Sequence, residues 1–269
     1  MTSLLRTEQL TRRFGGVVAV DSIDLELPGG GTTGIIGPNG AGKTTLFNLL
    51  SGINPPSSGR ILLSGEDVTG SRPDQMARLG VARTFQNLQV FGSLSVLENV
   101  LVPRALHAPT GLLSAVLRLP SGARKEAASR RAAMDALESV GMAHAADEPA
   151  TSLSYGSQRR VEIARALAAE PKLLLLDEPL AGLARGESAD LAALMRSVAD
   201  QGVTVLLVEH DVATVMQVCS RVVVLDHGVV LADGTPSEVQ SDPRVVAAYL
   251  GEPQDGTEAN RPQDAAEAP

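Results

Sequence analysis

The stretch GPNGAGKTT, Gly37 to Thr45, constrains the fold of this chain more than any other. It follows the aliphatic run TTGIIG and leads into LFNLLSG, where a buried strand would hand over to a helix. Gly37, Gly42, Lys43 and Thr44 satisfy the phosphate-loop pattern GxxxxGK[ST] in that setting. Glycines allow consecutive amides to turn inward, and the helix start adds the positive end of its dipole. Pro38, Asn39, Gly40 and Ala41 complete the loop, with Thr45 following it. In such a loop Lys43 reaches the β- and γ-phosphates and the Thr44 hydroxyl ligates the metal. ATP and Mg2+ are the expected ligands.

The surrounding pattern predicts an α/β protein. KLLLLD and VTVLLVE are, like TTGIIG, short continuous aliphatic runs suited to strands buried on both faces. Helical patterns over 42–51, 156–169, 187–200 and 211–220 separate them, which indicates a mostly parallel, helix-covered sheet. VVAVDSIDLELP, residues 17–28, alternates like a half-buried strand, and RILLSGEDVT reads as a hairpin around Ser64 and Gly65. Residues 95–104 and 123–141 carry helical spacing without strand signals, the second closing at Gly141. The expected layout is a core with a β subdomain over 5–70 and 156–251, and a helical insertion over about 71–155. Residues 252–269, rich in Pro, Gln, Asp and Glu, are expected to be a disordered tail.

Composition narrows the function. With four Phe, two Tyr and no Trp, the core must be built from aliphatic side chains. The net charge of −8 argues against nucleic acid as the main partner. Arg124, Lys125, Arg130 and Arg131 lack interleaved aromatics and read as a solvated helix face. The single cysteine, Cys219, excludes an internal disulfide and a cysteine zinc cluster, and its helical surroundings predict a buried thiol. No apolar run approaches the roughly 18 residues that span a bilayer. A cytosolic chain that docks on a membrane component is expected.

Two further segments carry chemistry. KLLLLDEP ends a strand with Asp177, placed to hold Mg2+ through water, and Glu178, placed to deprotonate the attacking water. In TSLSYGSQRRVEIARALA, Ser154 precedes Gly156 and a helix, so serine and helix start form a second anion site. Two phosphate-binding elements far apart in one chain suggest a nucleotide sandwiched between two subunits.

On these motifs the chain resembles the ATP-binding subunits of ABC transporters, from about residue 5 to 251. LSYGSQ, with Ser154, Gly156 and Gln158, looks like that family's signature motif. The resemblance places Phe14 of RRFGG against adenine and makes Gln86 of RTFQN the metal-contacting loop glutamine. It also makes His210 of VEHDV the switch histidine at the γ-phosphate. RTFQNLQVFGSLSVLENV, DPRVVAAYLGE and the insertion around GLLSAVLRLP narrow the likeness to the larger ATPase paralog of branched-chain amino-acid importers. Such systems imply two membrane permeases, a paralogous ATPase (or a second copy) completing the sandwich, and an extracytoplasmic binding protein. They also imply a place at the cytoplasmic face of the membrane. Ala184 and Arg185 depart from the family, which carries Asn or Asp after AGL, often followed by Pro. Two rivals are a lipopolysaccharide-export ATPase, which fits less well at SYG and AGL, and a soluble ABC-type ATPase of translation or DNA maintenance. The second lacks support here: one phosphate loop, no long heptad run, and an acidic charge.

Overall fold

The computed structural model describes residues 3–86, 88–107 and 120–250. The expected acidic tail and the GLLSAVLRLP stretch lie outside them, Pro120 excepted. Two sheets organise the chain. The larger has six strands in the order β10-β9-β3-β8-β7-β6. These are β3 (Thr32–Ile36), β6 (Val81–Arg83), β7 (Leu173–Asp177), β8 (Thr204–Val208), β9 (Arg221–Asp226) and β10 (Val229–Gly234). All neighbours are parallel except β10, which pairs antiparallel with β9. The smaller sheet is antiparallel, β2-β1-β4-β5, built from β1 (Ser3–Phe14), β2 (Val17–Pro28), β4 (Ser58–Leu63) and β5 (Glu66–Asp67). The β4–β5 turn falls at Ser64 and Gly65, both at positive φ, as the hairpin reading requires.

The three aliphatic runs become β3, β7 and β8, and every residue in them is buried. Strand alternation divides these side chains between two cores. Leu174, Leu176, Val205 and Leu207 join one cluster, with Val96, Leu97, Leu137 and Val161 from helices. Leu173, Leu175, Leu206 and Val208 join the other, with Phe47 and the inward residues of the small sheet. Each fully buried leucine contributes roughly 1.5–3 kcal/mol, so a plate packed on both sides is held firmly.

The helices are α1 (Lys43–Leu50), α2 (Pro73–Arg78), α3 (Val96–His107), α4 (Pro120–Ser139), α5 (Tyr155–Leu167), α6 (Arg185–Asp200), α7 (Val212–Val218), α8 (Pro236–Ser241) and α9 (Pro243–Leu250). Helices α3, α4 and α5 pack on one another. Residues 81–83, within the 71–155 range read as helical, instead form β6 at the edge of the parallel sheet. Three residues are too few to carry a periodic signal. Periodicity does not single out β1 either, because bulges interrupt its alternation and Gln9 sits at φ 48°.

Cys219 is buried, as its pattern predicts, with its sulfur beneath Gly34. Burial pushes its thiol up to about 12, with the nearby Glu209 charge adding to the effect. A thiol-alkylating reagent should therefore modify Cys219 fully in denaturant and hardly at all in the folded protein. The fold retains the proton after the unfolded thiol has lost its own. Stability should accordingly fall as pH rises from about 9 toward about 12. Fast alkylation of the native protein would contradict the packing.

Candidate functional site: a phosphate loop facing a strand-end carboxylate

The loop between β3 and α1 follows a path that only glycine permits at its ends. Gly37 and Gly42 have φ of 153° and 101°. A Cβ on Gly37 would lie 2.1 Å from the Leu225 carbonyl oxygen, and one on Gly42 would lie 2.3 Å from that of Ala19. Gly42 caps α1 and offers no side chain to its first amides. Those amides and the helix dipole face the cleft as anion donors. The Lys43 ammonium is buried and donates to the Gly37 and Pro38 carbonyls at 2.6 and 2.9 Å.

Across the cleft stands Glu178, one residue past β7. Its amide donates to the Val208 carbonyl at 3.0 Å, and its φ is 49°. Gln86 Nε2 donates to one carboxylate oxygen at 2.8 Å, and His210 Nε2 bonds the other at 2.8 Å. A cavity of about 260 Å3 is lined by Asn39 to Thr45 together with Ala19, Glu178 and His210. Residues from four separate segments thus converge on one space, with amides and an ammonium on one wall and a carboxylate on the other.

Asp177, the last residue of β7, is held differently. Its carboxylate accepts from Arg83 Nη2 at 2.8 Å, and both side chains are more than nine-tenths buried. Arg83 Nη1 also donates to Asn48 of α1 and to Ser51, which follows the helix, at 2.7 and 2.8 Å. One guanidinium therefore ties β6, β7 and the helix after the phosphate loop together. Among the described residues no cluster of three or more His, Cys, Asp or Glu could hold a metal. Thr44 is exposed and lines the cavity, whereas Asp177, paired with Arg83, is not among the residues that line it.

Ser154, Gly156 and Gln158 do not line this cavity. Ser154 caps α5, its hydroxyl accepting from the Ser157 amide at 3.2 Å. Gly156 lies so near Glu187 that a Cβ would sit 2.5 Å from its carboxylate. Gln158 Nε2 donates to the Leu153 carbonyl at 3.0 Å. Phe14 ends β1, is 44% exposed, and carries the Arg12 guanidinium 4.5 Å above its ring. It too stands outside the cavity wall.

Four residues with buried side chains escaped sequence reasoning: Arg83, Arg159, Glu162 and Glu209. Glu209 accepts from the Leu180 amide at 2.7 Å, and burial pushes its carboxyl above the usual range. It was legible only as a neighbour of His210. The others sit among ordinary helical and strand positions, where nothing in spacing marks a buried charge.

A phosphate loop opposite a strand-end carboxylate on a parallel sheet defines a P-loop nucleotide-binding ATPase. The family model for the ABC transporter matches residues 20–181, and this chain belongs to that family. A second model, that of the branched-chain amino acid ATP-binding cassette transporter, matches residues 229–255. The high-affinity branched-chain amino acid transport ATP-binding protein BraF of Pseudomonas aeruginosa is 43% identical over 93% of this chain and 98% of its own. The corresponding LivG protein of Escherichia coli is 42% identical over the same shares. Among solved structures, a nucleotide-free ATP-binding cassette from an ABC transporter superposes with a TM-score of 0.81 at 33% identity, covering 93% of this chain and all of that one. An ABC transporter cassette in its ADP conformation gives 0.80 at 32% identity, over 94% of this chain and all of that one.

Proposed function

We propose that this chain is the ATP-hydrolysing motor of an ABC importer for branched-chain amino acids. One observation carries the chemistry: Glu178 faces the phosphate loop with each carboxylate oxygen held by a separate side chain, Gln86 or His210. Amides of Gly37–Thr45 and the Lys43 ammonium bind the triphosphate, and Thr44 with Asp177 would hold Mg2+, which neutralises charge developing on the phosphates. Glu178 accepts a proton from the attacking water, and His210 holds that carboxylate toward the γ-phosphate. Gln86 ties it to the loop leading to the helices. Phe14 stacks on the adenine.

Ser154, Gly156 and Gln158 stand apart from their own chain's cavity, which supports their acting on nucleotide bound by a partner subunit. That partner is a paralog or a second copy. The helices of roughly 71–155 then move as a unit against the core. A groove of about 640 Å3, bordered by Phe85, Phe91, Arg78, Val102 and Arg165, offers the permeases a largely apolar seat. Phe85 and Phe91 are 42% and 48% exposed there. Among the described residues no helix is long and apolar enough to cross a membrane, so attachment at its cytoplasmic face would run through that groove. An extracytoplasmic binding protein would supply the substrate to the permeases. The relatives' assignment to branched-chain amino-acid transport favours import over lipopolysaccharide export.

Lys43→Ala should abolish uptake of labelled leucine in cells that depend on this subunit. The variant loses the ammonium at the phosphates together with its bonds to the Gly37 and Pro38 carbonyls. Uptake at the normal rate would sink the importer reading.

A further inference from the structure

Arg159 lies in the second turn of α5 and is 2% exposed, the largest fully buried side chain among the described residues. Its guanidinium reaches off its own helix. Nη1 donates to the Phe85 carbonyl at 3.0 Å, and Nη2 donates to the Gln86 carbonyl at 2.5 Å. Glu162 balances the charge, accepting from Nη1 at 3.0 Å, while the Tyr155 hydroxyl accepts from Nη2 at 3.0 Å. The Phe85 amide points back to Glu162 at 3.5 Å. Glu162 is itself 2% exposed, with Arg165 3.8 Å away on its other side.

These contacts form a clamp on the backbone at Gln86. The two carbonyls that Arg159 holds belong to Gln86 and the residue before it, and the Gln86 side chain holds Glu178 at 2.8 Å. Tyr155, one residue after the Ser154 cap, belongs to the same cluster. Its ring lies 5.4 Å from the guanidinium. The start of α5 is thereby joined to the cleft carboxylate through a short run of charge-assisted hydrogen bonds.

We infer that Arg159 is a positioning residue for hydrolysis: it sets the Gln86 backbone so that Gln86 aligns Glu178, making the carboxylate respond to the placement of α5. A buried guanidinium left to stabilise the helix alone would turn to carbonyls and carboxylates of α5. Two of its four bonds go instead to the Gln86 segment. A lysine could keep the charge near Glu162, but a single ammonium cannot span two carbonyls, a carboxylate and a hydroxyl in one plane.

The inference rests on Glu178 being the base, and a double-mutant cycle on the purified full chain tests it. Arg159→Lys should lower kcat for ATP hydrolysis about tenfold, as small misplacements of a catalytic group do, with KM for ATP changed less than about twofold. In a Gln86→Ala background the same change should have almost no further effect on kcat, because the intermediary is already gone. Rates are read below the melting midpoint of every variant, so lost stability does not count as lost positioning. Glu162→Gln, which loosens the hold on the guanidinium while keeping shape, provides a second cycle with a smaller drop and the same non-additivity. Equal fold losses in both backgrounds, or an unchanged kcat in folded Arg159→Lys, would overturn the inference. Glu178→Gln measured alongside keeps the two questions apart: near-normal hydrolysis in that variant refutes the base assignment itself, whatever the cycle gives.

Discussion

Replacing Glu178 by Gln is expected to leave ATP binding nearly intact and to lower hydrolysis by about 10²–10⁴-fold, the range a general base contributes. The substitution keeps the side chain's length and shape, so the cavity that it shares with Asn39 to Thr45 is preserved. The loss is in protonation chemistry, since an amide cannot take the proton of the attacking water. Its nitrogen is also a donor where the carboxylate accepts from Gln86. Binding of a fluorescent ATP analogue and phosphate release, measured on one preparation, provide the two readouts. Turnover near the wild-type rate would remove Glu178 from its role and leave His210 without a partner in the mechanism.

The second large effect concerns the pair beneath the site. Arg83→Met should destabilise the fold by about 3–5 kcal/mol, because it strands the Asp177 carboxylate without its cation in a buried position. The pair is closed on both sides, with side-chain exposures of 8% for Arg83 and 7% for Asp177. Asn48 of α1 and Ser51 just after it also lose their donor. Denaturant unfolding followed by circular dichroism would measure the change. Adding Asp177→Asn to Arg83→Met should recover part of the loss by removing the unpaired charge. A double variant no more stable than Arg83→Met alone would show that the cost lies in packing rather than in the charge.

The parts of this molecule legible in its sequence share one physical property: they are local. The phosphate loop is nine consecutive residues, two of whose glycines, Gly37 and Gly42, are forced by backbone approach at Leu225 and Ala19. The aliphatic strands announce themselves because all five residues of each are buried. The Ser154 cap is a pattern of a few neighbouring positions. The parts that stayed hidden depend on partners far along the chain. Arg83 meets Asp177 across 94 residues, and Arg159 meets the Gln86 segment across 73. Each looks like an ordinary surface arginine until the fold brings its carboxylate or carbonyl into range. Strand β6 was concealed for a similar reason, since three residues become a strand only because β7 is there to pair with them. At the Ala184 departure, Glu187 accepts from the Ala184 amide at 3.1 Å, while the first-turn amides of α6 have no side-chain cap of the kind a polar residue there would give.

Glu178 occupies a left-handed backbone state, which for a residue with a Cβ costs about 1–3 kcal/mol. Most side chains choose their direction by rotamer, but here the main chain has already chosen. The bond from its amide to Val208 locks that choice to the central plate. The unfavourable torsion is therefore incurred once, at maturation of the polypeptide, and in the proposed mechanism every later cycle starts from an aimed group rather than a searching one.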